Sequence, residues 1–372
     1  MKVAAVSVAS YDRAAVESGL AEALGLLGGV ARFIAPGDKV LVKPNMLEGL
    51  PPEKAVTTHP EILRAVLRAV KAGGATPVVG DSPGTTGTLK AAEKCGLLAV
   101  CREEDVPLVP FEATVDLPYP AGGIVKKFTL ARPLAEADKV ISLAKMKTHT
   151  FMGITGAAKN MFGFVVGMQK AQFHLRMQAR KEFAAMLIDL ANLVQPVLSI
   201  VDGVVGMEGN GPRNGKPVHA GVLLAGADCF AVDVVMAEIM GFDPARLPLT
   251  ALACERGLTP PLAGIDLAGS AKDIRLNFVA PRTMLSLTDR IPGWAAAFGR
   301  SHLTARPEIG AACVGCGRCA AHCPPEAMTV TDGKVRIDYG KCIRCYCCQE
   351  LCPADAVHLE EGRMLKLARR FL

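Results

Sequence analysis

Eight regularly spaced cysteines constrain this chain more than any other feature. They read Cys313-x-x-Cys316-x-x-Cys319-x-x-x-Cys323-Pro324, then Cys342-x-x-Cys345-x-x-Cys348-x-x-x-Cys352-Pro353. Each half matches the C-x2-C-x2-C-x3-C-P spacing that wraps [4Fe–4S] clusters. Three thiolates separated by two residues grip three corners of one cube. The fourth, set off by three residues and a Pro, points away and serves the other cluster. The expected ligand sets are Cys313, Cys316, Cys319 and Cys352 for one cluster, and Cys342, Cys345, Cys348 and Cys323 for the second. The expected cofactors are therefore two [4Fe–4S] clusters.

The two halves repeat beyond their cysteines. Subtracting 313 from 342 gives an offset of 29, at which Ala327 meets Ala356, Gly333 meets Gly362, Lys334 meets Arg363 and Val335 meets Met364. Each run is followed by an apolar segment, a polar turn centred on Gly and another apolar segment, a strand–turn–strand pattern. Over about Glu308 to Leu367 the chain resembles two-cluster bacterial ferredoxins. Zinc is the weaker alternative because it usually takes paired C-x2-C groups with a long gap. A disulfide framework would need an oxidising compartment. Cys347 is surplus, out of phase inside Cys345-Tyr346-Cys347-Cys348. It reads as a packed spare thiol, with a reactive or ligand-swapping thiol as the sharper alternative.

The chain has 372 residues, enough for more than one domain. Half of them are hydrophobic, with 37 Gly and 25 Pro, which suits a compact α/β protein with many turns. Aromatics make up only 5%, which argues against stacking platforms for nucleic acid. The net charge is +6. Two oxidised clusters with their thiolates, at about −2 each, would bring it to about +2, so the basicity is partly a counter-charge. The start, Met1 to Ser10, runs into Tyr11, Asp12 and Arg13 without a cleavage-type site, and Asp228, Asp233 and Glu238 interrupt the longest apolar region. No membrane role is expected. Thirteen cysteines without a signal segment point to reduced thiols, a cytoplasmic setting and anaerobic conditions.

From the N-terminus, β-branched runs alternate with helical patterns. Strands are expected over Lys2–Val8, Lys39–Met46, Pro77–Gly84, Val140–Lys145, Val197–Asp202 and Val222–Ala225. Helices are expected over Ala14–Phe33, from Thr57-Thr58-His59-Pro60-Glu61 (a hydroxyl cap with Pro behind it), and over Gly153–Val166, Lys170–Val194 and Cys229–Met240. This alternation implies an α/β fold with a largely parallel sheet and helices on both faces. Ile265–Ala268 and Ile274–Val279 read as edge strands and Met284–Phe298 as a helical connector. The tail Leu365–Leu372 reads as a packed amphipathic piece.

In such sheets ligands bind beyond the carboxyl ends of the strands. Lys43 and Asn45 end one expected strand, Asp81 and Ser82 another, Lys145, Lys147 and His149 a third, and Asp202 a fourth. Lys159 and Asn160 lie on the helix after the third. Taken singly, each has a structural explanation: Lys43 could snorkel, Asp81 and Asp202 suit turns, and Thr58 and His59 suit a cap. Together they would form a cationic cleft for an anionic metabolite. Lys43, Asn45, Lys145, Lys147, Lys159 and Asn160 are the candidate substrate-binding residues. Asp81, His149 and Asp202 are the candidate proton-moving, catalytic residues. Gly206-Met-Glu-Gly-Asn-Gly-Pro212 could close over a ligand, but is neither a P-loop nor a Rossmann fingerprint. Cys95, Cys101, Cys229 and Cys254 read as ordinary buried cysteines.

Val42-Lys43-Pro44-Asn45, Thr58-His59-Pro60-Glu61, Gly80-Asp81-Ser82-Pro83, Lys145-Met146-Lys147-Thr148-His149, Gly156-x-x-Lys159-Asn160 and Asp202-Gly203 through Glu208-Gly209-x-Gly211-Pro212 resemble the family known as domain of unknown function 362. Many of its members carry a C-terminal ferredoxin module, and the Cys345-Tyr346-Cys347-Cys348 wording is similar to theirs. The resemblance spans roughly residues 2 to 245 plus the ferredoxin part, and implies an iron–sulfur protein of unsettled activity. More loosely, the Thr58-His59-Pro60 helix start resembles the N-terminal domain of the lactate racemase family, whose cofactor is a nickel pincer. That family's catalytic histidine pairs are not evident here.

The expected organisation is an α/β domain over 1–300, a linker over 301–307 and a two-cluster ferredoxin domain over 308–372. The function expected of it is electron relay between an outside redox partner and an anionic substrate or cofactor at the α/β rim, in a reductase-type protein. The alternatives are a non-enzymatic carrier whose α/β domain docks a redox partner, and a cluster-gated metabolite-binding protein. A homo-oligomer is compatible with the sequence, and no nucleic-acid partner is expected.

Overall fold

In β1 (Lys2–Ser7) the four central residues are buried, and successive side chains go to opposite faces. Val3 and Ala5 join one apolar core, Ala4 and Val6 another. The same division recurs in β2 (Lys39–Pro44), where Leu41 enters the first core and Val40 and Val42 the second. A strand apolar on both faces must be covered on both, which is the logic of a parallel α/β sheet.

The computed structural model describes residues 1–84, 86–284 and 304–361. The remaining strands of the large domain are β3 (Thr76–Asp81), β4 (Leu108–Pro110), β5 (Thr114–Pro118), β6 (Lys127–Ala131), β7 (Lys139–His149), β8 (Gly153–Thr155), β9 (Leu198–Glu208), β10 (Lys216–Gly226) and β11 (Asp266–Ala268). β5 and β6 form a separate hairpin, and the other nine make one sheet in the order β11-β1-β10-β9-β7-β2-β3-β4, with β8 on β7. From β4 through β3, β2 and β7 to β9 every pairing is parallel. β10 runs antiparallel to both its neighbours. The helices are α1 (Arg13–Leu26), α2 (Pro60–Ala72), α3 (Thr88–Lys94), α4 (Leu97–Glu103), α5 (Ala157–Asn160), α6 (Gln169–Arg176), α7 (Arg180–Val194), α8 (Cys229–Ile239) and α9 (Pro248–Glu255). Helices α1 to α4 pack on one face, and α5, α7, α8 and α9 on the other. From β2 the chain moves outward through β3 and β4, then returns to lay β7 on the other side of β2. This reversal opens a crevice at the carboxyl ends of β2 and β7.

Several elements differ from the sequence expectation. The α2 cap is His59, whose Nδ1 accepts the Glu61 N–H at 3.2 Å, rather than a hydroxyl. The Thr58 hydroxyl instead accepts the Asn45 N–H and donates to the Leu143 carbonyl, tying the end of β2 to β7. Gly153–Val166 is not one helix. It comprises β8 folded back on β7, the single turn α5 and a 3-10 turn at Met161–Phe164. Lys170–Val194 is two helices, α6 and α7. The expected strands over Val197–Asp202 and Val222–Ala225 belong to a hairpin of two eleven-residue strands, so Gly206 to Glu208 sit within the sheet. Ile274–Val279 is irregular, because Leu276 and Phe278 donate to the Ile239 and Met240 carbonyls at the end of α8 rather than to a strand. The expected connector beyond Met284 and the tail over Leu365–Leu372 lie outside the described residues.

The C-terminal module contains β12 (Arg306–Ile309), β13 (Met328–Thr331), β14 (Lys334–Ile337) and β15 (Val357–Glu360). The first repeat forms the expected hairpin, β13–β14. In the second, β15 pairs with β12. Arg306 and Pro307, expected in the linker, are therefore strand residues. Among the described residues, no helix is long and apolar enough to cross a membrane.

Candidate functional site

The cysteines of the module surround two separate cavities. One is lined by Cys313, Cys316, Cys319 and Cys352, the other by Cys323, Cys342, Cys345 and Cys348. The fourth cysteine of each run thus crosses to the other cavity, as the spacing requires. The donor set fits iron–sulfur cubes. Four cysteines line each cavity, the number and chemistry of donors that a cube takes. The Ala327 N–H donates to Cys323 Sγ at 3.3 Å and the Ala356 N–H to Cys352 Sγ at 3.2 Å, the bonds that tune cluster thiolates. The wrapping loops also match. Gly315 and Gly317 have φ of +64° and +72°, and Arg344 and Tyr346, at the 29-residue offset, have +60° and +63°. In the second loop Tyr346 holds this costly conformation by burial and by donating its hydroxyl to the Ala305 carbonyl.

A third cavity, of about 140 Å³, lies where the module meets the crevice of the sheet. Its base is a lysine–amide network. Lys43 Nζ lies 2.8 Å from Asp81 Oδ1 and 3.0 Å from Asn160 Oδ1, and Lys147 Nζ donates to Asn45 Oδ1 and the Val56 carbonyl. Burial pulls Lys43 below the usual lysine range while Asp81 supports its charge. Lys147 is pulled much further, by burial and then by Lys159 and Lys145. Asp81 also accepts the Met46 and Ser82 N–H groups, which fixes it as an anchor. Two glycines make room for this packing. A Cβ on Gly163 would fall 2.3 Å from Asp81 Oδ1, and one on Gly156 would fall 2.1 Å from Asp233 Oδ1. The Asp233 carboxylate accepts the Ala157 and Ala158 N–H groups and so holds the turn carrying Lys159 and Asn160.

Not every expected residue reaches this cavity. Asp202 is mid-strand in β9, directly opposite Lys145 of β7. Their 2.7 Å ion pair is buried on the face covered by α1 and α2, where Ile141 and Leu143 also point. There Tyr11 donates to Asp202 Oδ1, Lys145 donates to the Tyr11 hydroxyl, and the His59 N–H donates to Asp202 Oδ2. Alternation along β7 sends Lys145 to that face, so Lys145 and Asp202 form a structural anchor and not part of the cleft. His149 lies behind the wall. Its Nδ1 accepts the Phe151 and Met152 N–H groups, which places the proton on Nε2, 3.5 Å from Glu350 Oε1. Burial, followed by the nearby lysines and His174, keeps this imidazole neutral. The Gly-rich loop contributes only Pro212 to the lining.

Other lining residues were not expected. Lys170 and His174, one turn apart on α6, face the cavity, and Glu350, Leu351 and Cys347 close it from the module. Burial pushes Glu350 up to about 7 against the pull of Lys159 and Lys147. Among these, only Cys347 stood out from the spacing. Lys170 and His174 carry a readable i, i+4 signal, but on an expected helix too long to show which turn faced the cleft.

The fold and site define an α/β protein with an appended 4Fe–4S ferredoxin-type module, whose role is iron–sulfur electron transfer. The chain belongs to the family described as domain of unknown function (DUF362), which matches residues 40–238, and a 4Fe-4S dicluster domain matches residues 308–353. It is 38% identical over 261 residues to the thylakoid-associated protein sll1697 of Synechocystis sp., covering 68% of this chain and 79% of that protein. The lactate racemase apoprotein of Thermoanaerobacterium thermosaccharolyticum aligns at a TM-score of 0.35 and 16% identity, covering 61% of this chain and 54% of that one. That likeness is too low to carry an argument about fold or activity.

Proposed function

We propose that the chain is an iron–sulfur oxidoreductase component that exchanges electrons, through two [4Fe–4S] clusters, with a small anionic molecule held between the α/β domain and the module. One observation carries this reading: Cys347 lines both the cavity enclosed by the second cysteine set and the cavity at the sheet crevice. A molecule in the crevice would sit one side chain away from that cysteine set. Bound clusters supply one-electron transfer. The protein's own groups bind and orient. Lys147 and Lys159 attract the ligand's negative charge, Asn45 fixes Lys147 and Asn160 fixes Lys43, and Leu351 with Phe162 limits water. Of the three groups expected to move protons, Asp81 alone lines the cavity. The outer partner is a one-electron carrier.

The test uses anaerobically purified full-length protein with its clusters chemically reduced. Small molecules that co-purify are identified by mass spectrometry, and their ability to reoxidise the clusters is followed by absorbance. Leu351→Trp, which fills the cavity, should abolish reoxidation while iron content stays constant. Equal reoxidation rates in variant and wild type would refute the reading.

A further inference from the structure

We propose that Lys159, Lys170 and His174 form an oxyanion-binding subsite, which takes the carboxylate or phosphate head of a small ligand. It rests on the crevice cavity being the ligand site. Lys43 at the base differs from these two in its counter-charge. Lys43 has Asp81 at 2.8 Å, whereas no carboxylate lies within ion-pair distance of Lys159 or Lys170 among the described residues. Lys170 spends two hydrogen bonds on Ser82, at 2.6 Å to its carbonyl and 3.1 Å to its hydroxyl, both neutral acceptors. Lys159 has the Phe162 ring 5.7 Å away.

His174 supplies an independent observation. It is 7% exposed, it lines the cavity, and its Nδ1 has no hydrogen-bond partner among the described residues. The ring is clamped in an aromatic box, stacked on Phe183 at 4.4 Å with the edges of Phe151 and Phe162 beside it. Burial, then Lys159, lowers it to about 3, so it is a neutral imidazole that gives one hydrogen bond without adding charge. Leaving such a group unpaired costs free energy, as does holding an ammonium with no ion-pair partner. Of the carboxylates lining the cavity, Asp81 is committed to Lys43 and two backbone amides, Glu48 is committed to Arg213 and Arg318, and Glu350 lies beyond ion-pair distance of both lysines. An arriving oxyanion satisfies all three groups together, and Lys170 and His174, four residues apart on α6, share the face that meets it.

Calorimetric titration of anaerobic, cluster-loaded full-length protein, with no electron donor, tests this with two probes, inorganic phosphate and oxalate. At least one should bind saturably, and the one preferred identifies the head group. Lys159→Gln and Lys170→Gln should each weaken binding about tenfold or more, as should His174→Phe, which keeps the ring stack, with cluster absorbance unchanged. Lys170 is only half-buried, so its variant decides the matter if His174→Phe does not fold. The subsite is overturned if neither anion binds saturably, or if the lysine variants bind as tightly as wild type. Anion binding that depends on these residues without cluster reoxidation would leave the subsite standing and remove the electron-exchange reading. Reoxidation without anion binding would do the reverse.

Discussion

The Glu48 carboxylate, on the loop after β2, lies 2.7 Å from the Arg318 guanidinium, one residue before Cys319. Its other oxygen takes Arg213 from the β9–β10 turn, and Arg213 reaches Asp355 of the module. One buried carboxylate thus joins sheet, hairpin and module. Glu48→Ala leaves the buried Arg213 head with the exposed Asp355 carboxylate and the neutral Asn214 amide, so stability should fall by about 3 kcal/mol. Thermal unfolding should show it, with the module's iron content retained.

The Lys145–Asp202 pair is equally buried but remote from the cavity. Asp202→Asn strands an ammonium among Tyr11 and apolar neighbours and should cost about 3–5 kcal/mol in chemical denaturation. Anion binding by the folded fraction should remain at wild-type strength. A selective loss of binding without loss of stability would return Asp202 to the site.

Burial, opposed by Asp81 and reinforced by Lys43 and Lys159, lowers Lys170 to about 8. Between about pH 8 and the ordinary lysine range the folded chain therefore holds fewer protons than the unfolded one, so this group's contribution to stability improves as pH rises through that window. Lys170→Met should gain most over wild type below pH 8, and the gap should close toward pH 10. Anion binding should run the other way, weakening above pH 8 as the ammonium is lost. Unfolding and titration series from pH 6 to about 10 check both.

Cys347 is not among the four thiols of either crossed set. Cys347→Ser should retain about eight irons per chain, whereas Cys342→Ala should lose about four. Iron and sulfide analysis under anaerobic conditions distinguishes the two. A matching loss in Cys347→Ser would make it a ligand.

The module was legible because cluster wrapping is local: Cys313 to Cys323 fix their own geometry whatever surrounds them. The alternation of β1 and the apolar run of β2 likewise announced a sheet covered on both faces. The rim was harder. Lys145, Lys147 and His149 looked like a strand end, yet all three lie within β7, because Asp202, Asn45 and a pair of backbone amides satisfy them inside the fold. Period-2 alternation says that Lys145 and Lys147 start on one face, but not that β9 shifts register between them and leaves only Lys147 facing the cleft. The partners of Lys170 and Glu350 depend on how two distant segments dock, which no local pattern encodes.

Residues Cys347 to Leu351 form one short helix, which supplies Cys348 to a cluster cavity and Glu350 and Leu351 to the crevice. A guest pressing on Leu351 would therefore lean on the same turn that carries one thiol of the second cysteine set. Under the proposed function, occupancy and midpoint potential would be two readings of a single mechanical element, and cargo would register as a change in voltage before any chemistry takes place.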